Sequence, residues 1–200
     1  SSWWVLPVKT LDVVRKRCAD VLASLTDCLV ALRRDPSALA DSLSRFDADL
    51  AQLEQVAPAL RAHRRLPDRL HGGRPLAGAI DALHHCAGPL RAIAVDGGHH
   101  ADEAAASLTP LAHPRIVGLY AAVMANVAAV RRAIGRQPDA LYRPPPSTTA
   151  PVNDLPLDAE AFELSKVRVA LLEIDTSMAS LFAIFSTPPS QPSAASPPQA

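Results

Sequence analysis

The sequence predicts an all-α fold: a bundle of about five long antiparallel helices with a proline-rich loop and a disordered C-terminal tail. Three observations predict it. Apolar residues recur at alternating spacings of three and four along successive segments, the period of a helix with one buried face. Aromatic residues are only 4% of the 200 residues although hydrophobic ones reach 48%, and sheets draw on aromatic and β-branched residues together. Two stretches are too rich in proline for regular structure. A chain of this length and apolar content can bury one core, so residues 1–186 are expected to form one helical domain and 187–200 a tail.

The first helix is carried by the row Leu11, Val14, Cys18, Val21, Leu25, Cys28 and Leu32. Asp35-Pro36 then supplies an N-cap and a first-turn proline for a second helix with Leu39, Leu43, Phe46, Leu50, Leu53, Ala57 and Leu60 on one face. So short a connection makes the two helices antiparallel neighbours. Pro58 removes a backbone donor inside that pattern and predicts a kink or an early end before Arg61, His63, Arg64 and Arg65. Leu66 to Pro75 reads as a loop, followed by a third helix marked by Leu76, Ile80, Leu83, Ala87, Leu90 and Ala94, bent at Gly88-Pro89 and closed at Gly97-Gly98.

The fourth helix begins near Pro114, carries Ile116, Tyr120, Val123, Val127, Val130 and Ile134 on one face, and stops at Gly135. Arg136 to Pro156, with Pro144-Pro145-Pro146, reads as an extended surface connection. The last helix has the cleanest pattern, Leu164, Val167, Leu171, Ile174, Met178, Leu181 and Phe185, and is expected at the bundle centre. The tail after Ser186 holds no charged residue and is dominated by Pro, Ser and Ala, too little apolar surface to offset chain entropy.

Lys and Arg together number 20, as do Asp and Glu, so no overall charge attracts nucleic acid, and no nucleic-acid partner is expected. The basic run Arg61 to Arg65 and the pair Arg131-Arg132 read as solvated faces. Three cysteines, Cys18, Cys28 and Cys86, lack C-x-x-C spacing and fit buried thiols in a reducing compartment. No uninterrupted apolar stretch reaches the ~20 residues of a membrane span; Ile116 to Val130 is short and contains Asn126. A start at Ser1-Ser2-Trp3-Trp4 resembles neither a signal peptide nor a natural beginning and reads as the edge of an excised piece.

The chemistry-bearing motifs are sparse. His84-His85-Cys86 and His99-His100 invite a metal, but adjacent helical positions point ~100° apart whereas helix-borne ligands use i, i+3 or i+4, so solvent-facing or capping histidines are the simpler reading. No Gly-rich phosphate loop, G-x-S-x-G or H-E-x-x-H occurs. No enzyme activity, metal or cofactor is expected.

The N-terminus is more informative. Trp3-Trp4 and Val5-Leu6-Pro7, followed by Lys9, Arg15, Lys16 and Arg17, match the order found where a transmembrane segment leaves the bilayer on the cytoplasmic side: interfacial indoles, a proline, then positive charge. The alternative is a hydrophobic staple packing onto the bundle.

These same residues, with Thr10-Leu11-Asp12-Val13-Val14, resemble the stretch after the first membrane half in the fusaric acid resistance and aromatic acid exporter family. Gln52-Leu53-Glu54-Gln55 through Leu60-Arg61-Ala62-His63-Arg64-Arg65 resembles the helical region between that family's two membrane blocks. The resemblance implies a bacterial inner-membrane efflux protein for aromatic or other small organic acids, with this chain as a helical domain on its cytoplasmic side. Expected partners are the membrane portion of the parent protein or like subunits, and anionic lipid headgroups near Lys9, Arg15, Lys16 and Arg17. The competing expectation is a stand-alone helical interaction module.

Overall fold

The computed structural model describes residues 5–58, 73–98, 110–145 and 159–186. Within them run six α-helices and no strand: α1 Val5–Arg34, α2 Leu39–Glu54, α3 Gly73–His85, α4 Ala87–Gly98, α5 Pro114–Ile134 and α6 Ala159–Ser186. The all-α expectation holds. Trp3, Trp4, the run from Arg61 to Arg65, His99, His100 and residues 187–200 lie outside the described residues.

The predicted apolar rows become the core. Val14, Cys18, Val21, Leu22, Leu25, Cys28, Leu29 and Leu32 of α1 are buried against Phe46, Leu50 and Leu53 of α2 and the buried faces of α3 to α6. Burial of such a contiguous apolar set is the main stabilising term.

Helix ends follow local chemistry, with small displacements. Asp35 caps as expected, its Oδ1 accepting from Ser37 N–H at 3.2 Å, but Pro36–Ala38 forms a 3₁₀ turn, so α2 begins at Leu39. Because α2 ends at Glu54, Pro58 marks an early end and not a kink within it. The third predicted helix is broken in two, and the break falls before Gly88-Pro89. Pro89 cannot bond the carbonyl of His85 four residues back and crowds it, and His85 is the last residue of α3. At α5, His113 Nδ1 accepts from Arg115 N–H at 3.2 Å and Pro114 takes the first turn.

Gly135 follows the end of α5, but its φ is −73°, and Arg136 carries the left-handed conformation, with φ 57°. Arg136 N–H donates to Ala133 O at 3.0 Å and Gln137 N–H to Arg132 O at 3.0 Å, the paired bonds of a Schellman cap.

Helix directions require a correction. The pair α1–α2 is antiparallel, since Ser24 meets Asp49 and Arg17 meets Gln52. His84–Glu54 and Arg91–Asp47 contacts run α3 and α4 antiparallel to α2. Tyr120 bonds Leu29 O while Arg15 bonds Ile134 O, so α5 opposes α1. The pair α5–α6, however, is parallel. Asn126 touches Asp175 at mid-helix, and the Arg15 guanidinium reaches both Ile134 O at 3.0 Å and the Phe185 ring at 5.4 Å, so both C-termini share one end. In an antiparallel pair with the same central contact, Phe185 would lie ~27 Å from the level of Ile134. Parallel neighbours need a returning connection, which is why a long segment, residues 135–158, joins them.

A second correction concerns length. Pro114–Ile134 and Phe162–Ser186 are each long and apolar enough to cross a membrane by length and composition. The run Ile116–Val130 underestimates α5, which carries past Arg115 and Arg131-Arg132 at its two ends, and α6 likewise carries past Glu173 and Asp175. Within the bundle, both apolar windows are partly buried against the other helices. Nor is α6 wholly enclosed as a central helix would be: it lies on α3, α4 and α5 but exposes Phe162, Val169 and Leu172.

Candidate functional site

Helix α1 carries Lys9, Arg15, Lys16 and Arg17, and it distributes the last three around its circumference, since successive residues turn by ~100°. Lys16 is exposed, while Arg15 and Arg17 are half-buried. Arg15 donates from Nη1 to Ile134 O, one of the carbonyls left open at the α5 C-terminus, and its guanidinium stacks on Phe185. Burial, reinforced by nearby Arg136, lowers the Arg15 pKa against the opposing pull of Asp12. Arg17 donates to Gln52 Oε1. The structure therefore gives Arg15 and Arg17 partners within the protein and turns Arg15, Lys16 and Arg17 to different sides of α1.

The densest polar geometry lies elsewhere, where sequence reasoning placed nothing. Asn126 on α5 and Asp175 on α6 are 2% and 4% exposed, which demands that their polar atoms be satisfied. Asn126 Nδ2 donates to Asp175 Oδ1 at 2.8 Å and to Arg143 O at 2.7 Å, while its Oδ1 accepts from Arg143 N–H at 3.1 Å. Tyr142 Oη donates to Asp175 Oδ2 at 2.6 Å, and its ring rests 5.9 Å from that of Phe182. Burial and the adjacent carboxylate push the Tyr142 pKa up. One amide side chain thus pairs with a whole backbone unit, as a neighbouring strand would, and pins the returning connection to the α5–α6 seam. Two signals could have located it: Asn126 amid an apolar run, and Asp175 beside Ile174 in the cleanest stripe.

Of the histidine and cysteine group, the described residues His84, His85 and Cys86 do not converge. His84 Nε2 lies 3.0 Å from Glu54 Oε1, His85 is exposed and Cys86 is buried. Among the described residues no three His, Cys, Asp or Glu side chains are placed to hold a metal ion. Cys18, Cys28 and Cys86 are free and buried. Burial pushes the Cys18 and Cys86 thiols up to about 12, so neither supplies a thiolate near neutral pH.

Comparison with protein-family models, with curated proteins and with solved structures finds no match to this chain.

Proposed function

We propose that this chain is the cytoplasmic helical domain of a bacterial inner-membrane efflux protein of the fusaric acid resistance and aromatic acid exporter type, and that it supports assembly or gating. The reading rests on the resemblance of the residues around Trp3-Trp4 and Arg15-Lys16-Arg17. The observation that carries it is α1: an unbroken helix of 30 residues begins next to Trp3-Trp4 and packs on α2, α3, α4 and α5. A helix continuous from a membrane exit into the core of the bundle moves as one body, so displacement at its start is delivered to every helix it touches.

Because Arg15 and Arg17 bind within the protein, Lys9 and Lys16 are the residues assigned to anionic headgroups. The reading frame on both sides of the chain tests the proposal. A block of membrane-spanning segments ending at Trp3-Trp4, with the intact product in the membrane fraction and its deletion sensitising cells to aromatic acids, is the expected result. A product without such segments that stays soluble after lysis overturns it.

A stand-alone interaction module is the second reading, and the exposure of Phe162, Val169 and Leu172 on one helix favours it. Under that reading the intact product remains soluble and acts through the α6 face.

A further inference from the structure

We infer that the outward face of α6 is an interface between two copies of this chain, paired antiparallel about Val169. The inference stands on the packing of α6 and holds whether or not the chain belongs to an exporter. Phe162, Val169 and Leu172 are 61%, 52% and 38% exposed. With Ser165, Thr176, Ser180 and Ala183 they recur at threes and fours and occupy one side of the helix. Thr176 Oγ1 donates to Leu172 O at 2.9 Å and Ser180 Oγ to Thr176 O at 3.1 Å, so both hydroxyls are satisfied within the helix. The face is therefore apolar in effect, and its small residues admit a second helix at ~8 Å between axes.

Charge identifies the occupant as a second copy and sets its direction. Lys166 and Glu173 are both exposed and flank Val169 and Leu172 on this face. With the two-fold axis through Val169, Lys166 of each copy lies within one residue's rise, ~1.5 Å along the axis, of Glu173 of the other. Phe162 falls opposite Thr176. The arrangement is self-complementary, as an isologous interface must be. A parallel pairing would set Lys166 against Lys166 and Glu173 against Glu173, and a lipid surface would offer Glu173 no cation. Lys166 now contacts Glu163 at 3.0 Å and lies 4.6 Å from the centre of the Phe162 ring. An exposed pair of this kind is weakly held, so Lys166 can swing to Glu173 of the second copy while its stem still covers Phe162.

Sedimentation velocity on the full chain over a wide concentration range tests the assignment. A monomer–dimer equilibrium is expected, with Val169→Asp/Leu172→Asp leaving only monomer at unchanged helical circular dichroism. Lys166→Glu or Glu173→Lys alone should weaken dimerisation about tenfold or more, and Lys166→Glu/Glu173→Lys together should restore it. Restoration is the outcome that a merely sticky surface would not produce. A chain that is monomeric throughout, a dimer indifferent to Val169→Asp/Leu172→Asp, a double reversal that fails to restore pairing, or a monomer that uses this face to enter phosphatidylcholine vesicles would overturn the inference.

Discussion

The pairs α1–α2 and α5–α6 are both long helix pairs in one core, yet different means hold them. A turn at Asp35 to Ala38 joins α1 to α2, and the pair meets through Val21, Leu25, Phe46, Leu50 and Leu53, with side-chain hydrogen bonds from Ser24 to Asp49 and from Arg17 to Gln52 beside them. In contrast, α5 and α6 run parallel, are joined by the distant path of residues 135–158, and carry at their seam the buried group Asn126, Asp175 and Tyr142 with the backbone of Arg143. A short turn leaves one direction open to the second helix. A long connection leaves two, and here specific hydrogen bonds accompany the choice. Apolar contact sums area and is indifferent to direction, whereas an amide paired with one backbone unit is satisfied in one arrangement only.

Truncating each pair at its centre separates these modes. Phe46→Ala removes the largest side chain from α2's buried face and should cost about 4 kcal/mol in denaturant unfolding, with Arg143 N–H as protected from hydrogen exchange as before. Asn126→Ala should cost about 3 kcal/mol, because Asp175 loses a donor while remaining buried and the Arg143 backbone is left unpaired. Here Arg143 N–H should lose its protection first. Equal protection in the two variants would show that the polar group does not hold the connection.

Tyr142→Phe is milder, about 1 kcal/mol at neutral pH, and it sharpens the comparison through pH. The Tyr142 pKa lies above its ordinary 10.0 in the folded protein. The contribution of its hydroxyl is therefore complete below the unfolded value and is lost as pH rises towards the raised folded one. Tyr142→Phe should flatten the alkaline end of the stability–pH curve, measured by urea unfolding between about pH 9 and 11. The smallest effect belongs to Arg136. Glycine accepts its left-handed φ of 57° without strain, so Arg136→Gly should stabilise by up to about 1 kcal/mol, the loose 3.9 Å contact with Asp12 being too exposed to matter. A thermal melt that shifts downwards would contradict that reading of the cap.

Much of this was legible from residues alone. The rows from Val14 to Leu32, from Ile116 to Ile134 and from Val167 to Phe185 all turn inward, because an apolar stripe at helical period has no other stable use. Pro89 disclosed a bend but not its location, since a proline acts on the carbonyl four residues earlier. Arg15 read as one of four equivalent cations near a membrane. Only when the ends of α5 and α6 are brought to the middle of α1 does its guanidinium become a cap for Ile134 O and a partner for Phe185. The group around Asn126 was hidden for a similar reason, as its members come from three segments far apart in the chain.

The sequence by itself determined which segments are helices and which side of each avoids water, because period and composition act within a turn or two of chain. Tertiary structure decided that α5 and α6 run in the same direction, that Asn126 and Asp175 meet, and that α6 keeps one apolar side uncovered. Each of these depends on how distant segments return to one another, and neither hydrophobic period nor local capping encodes the route by which a chain returns.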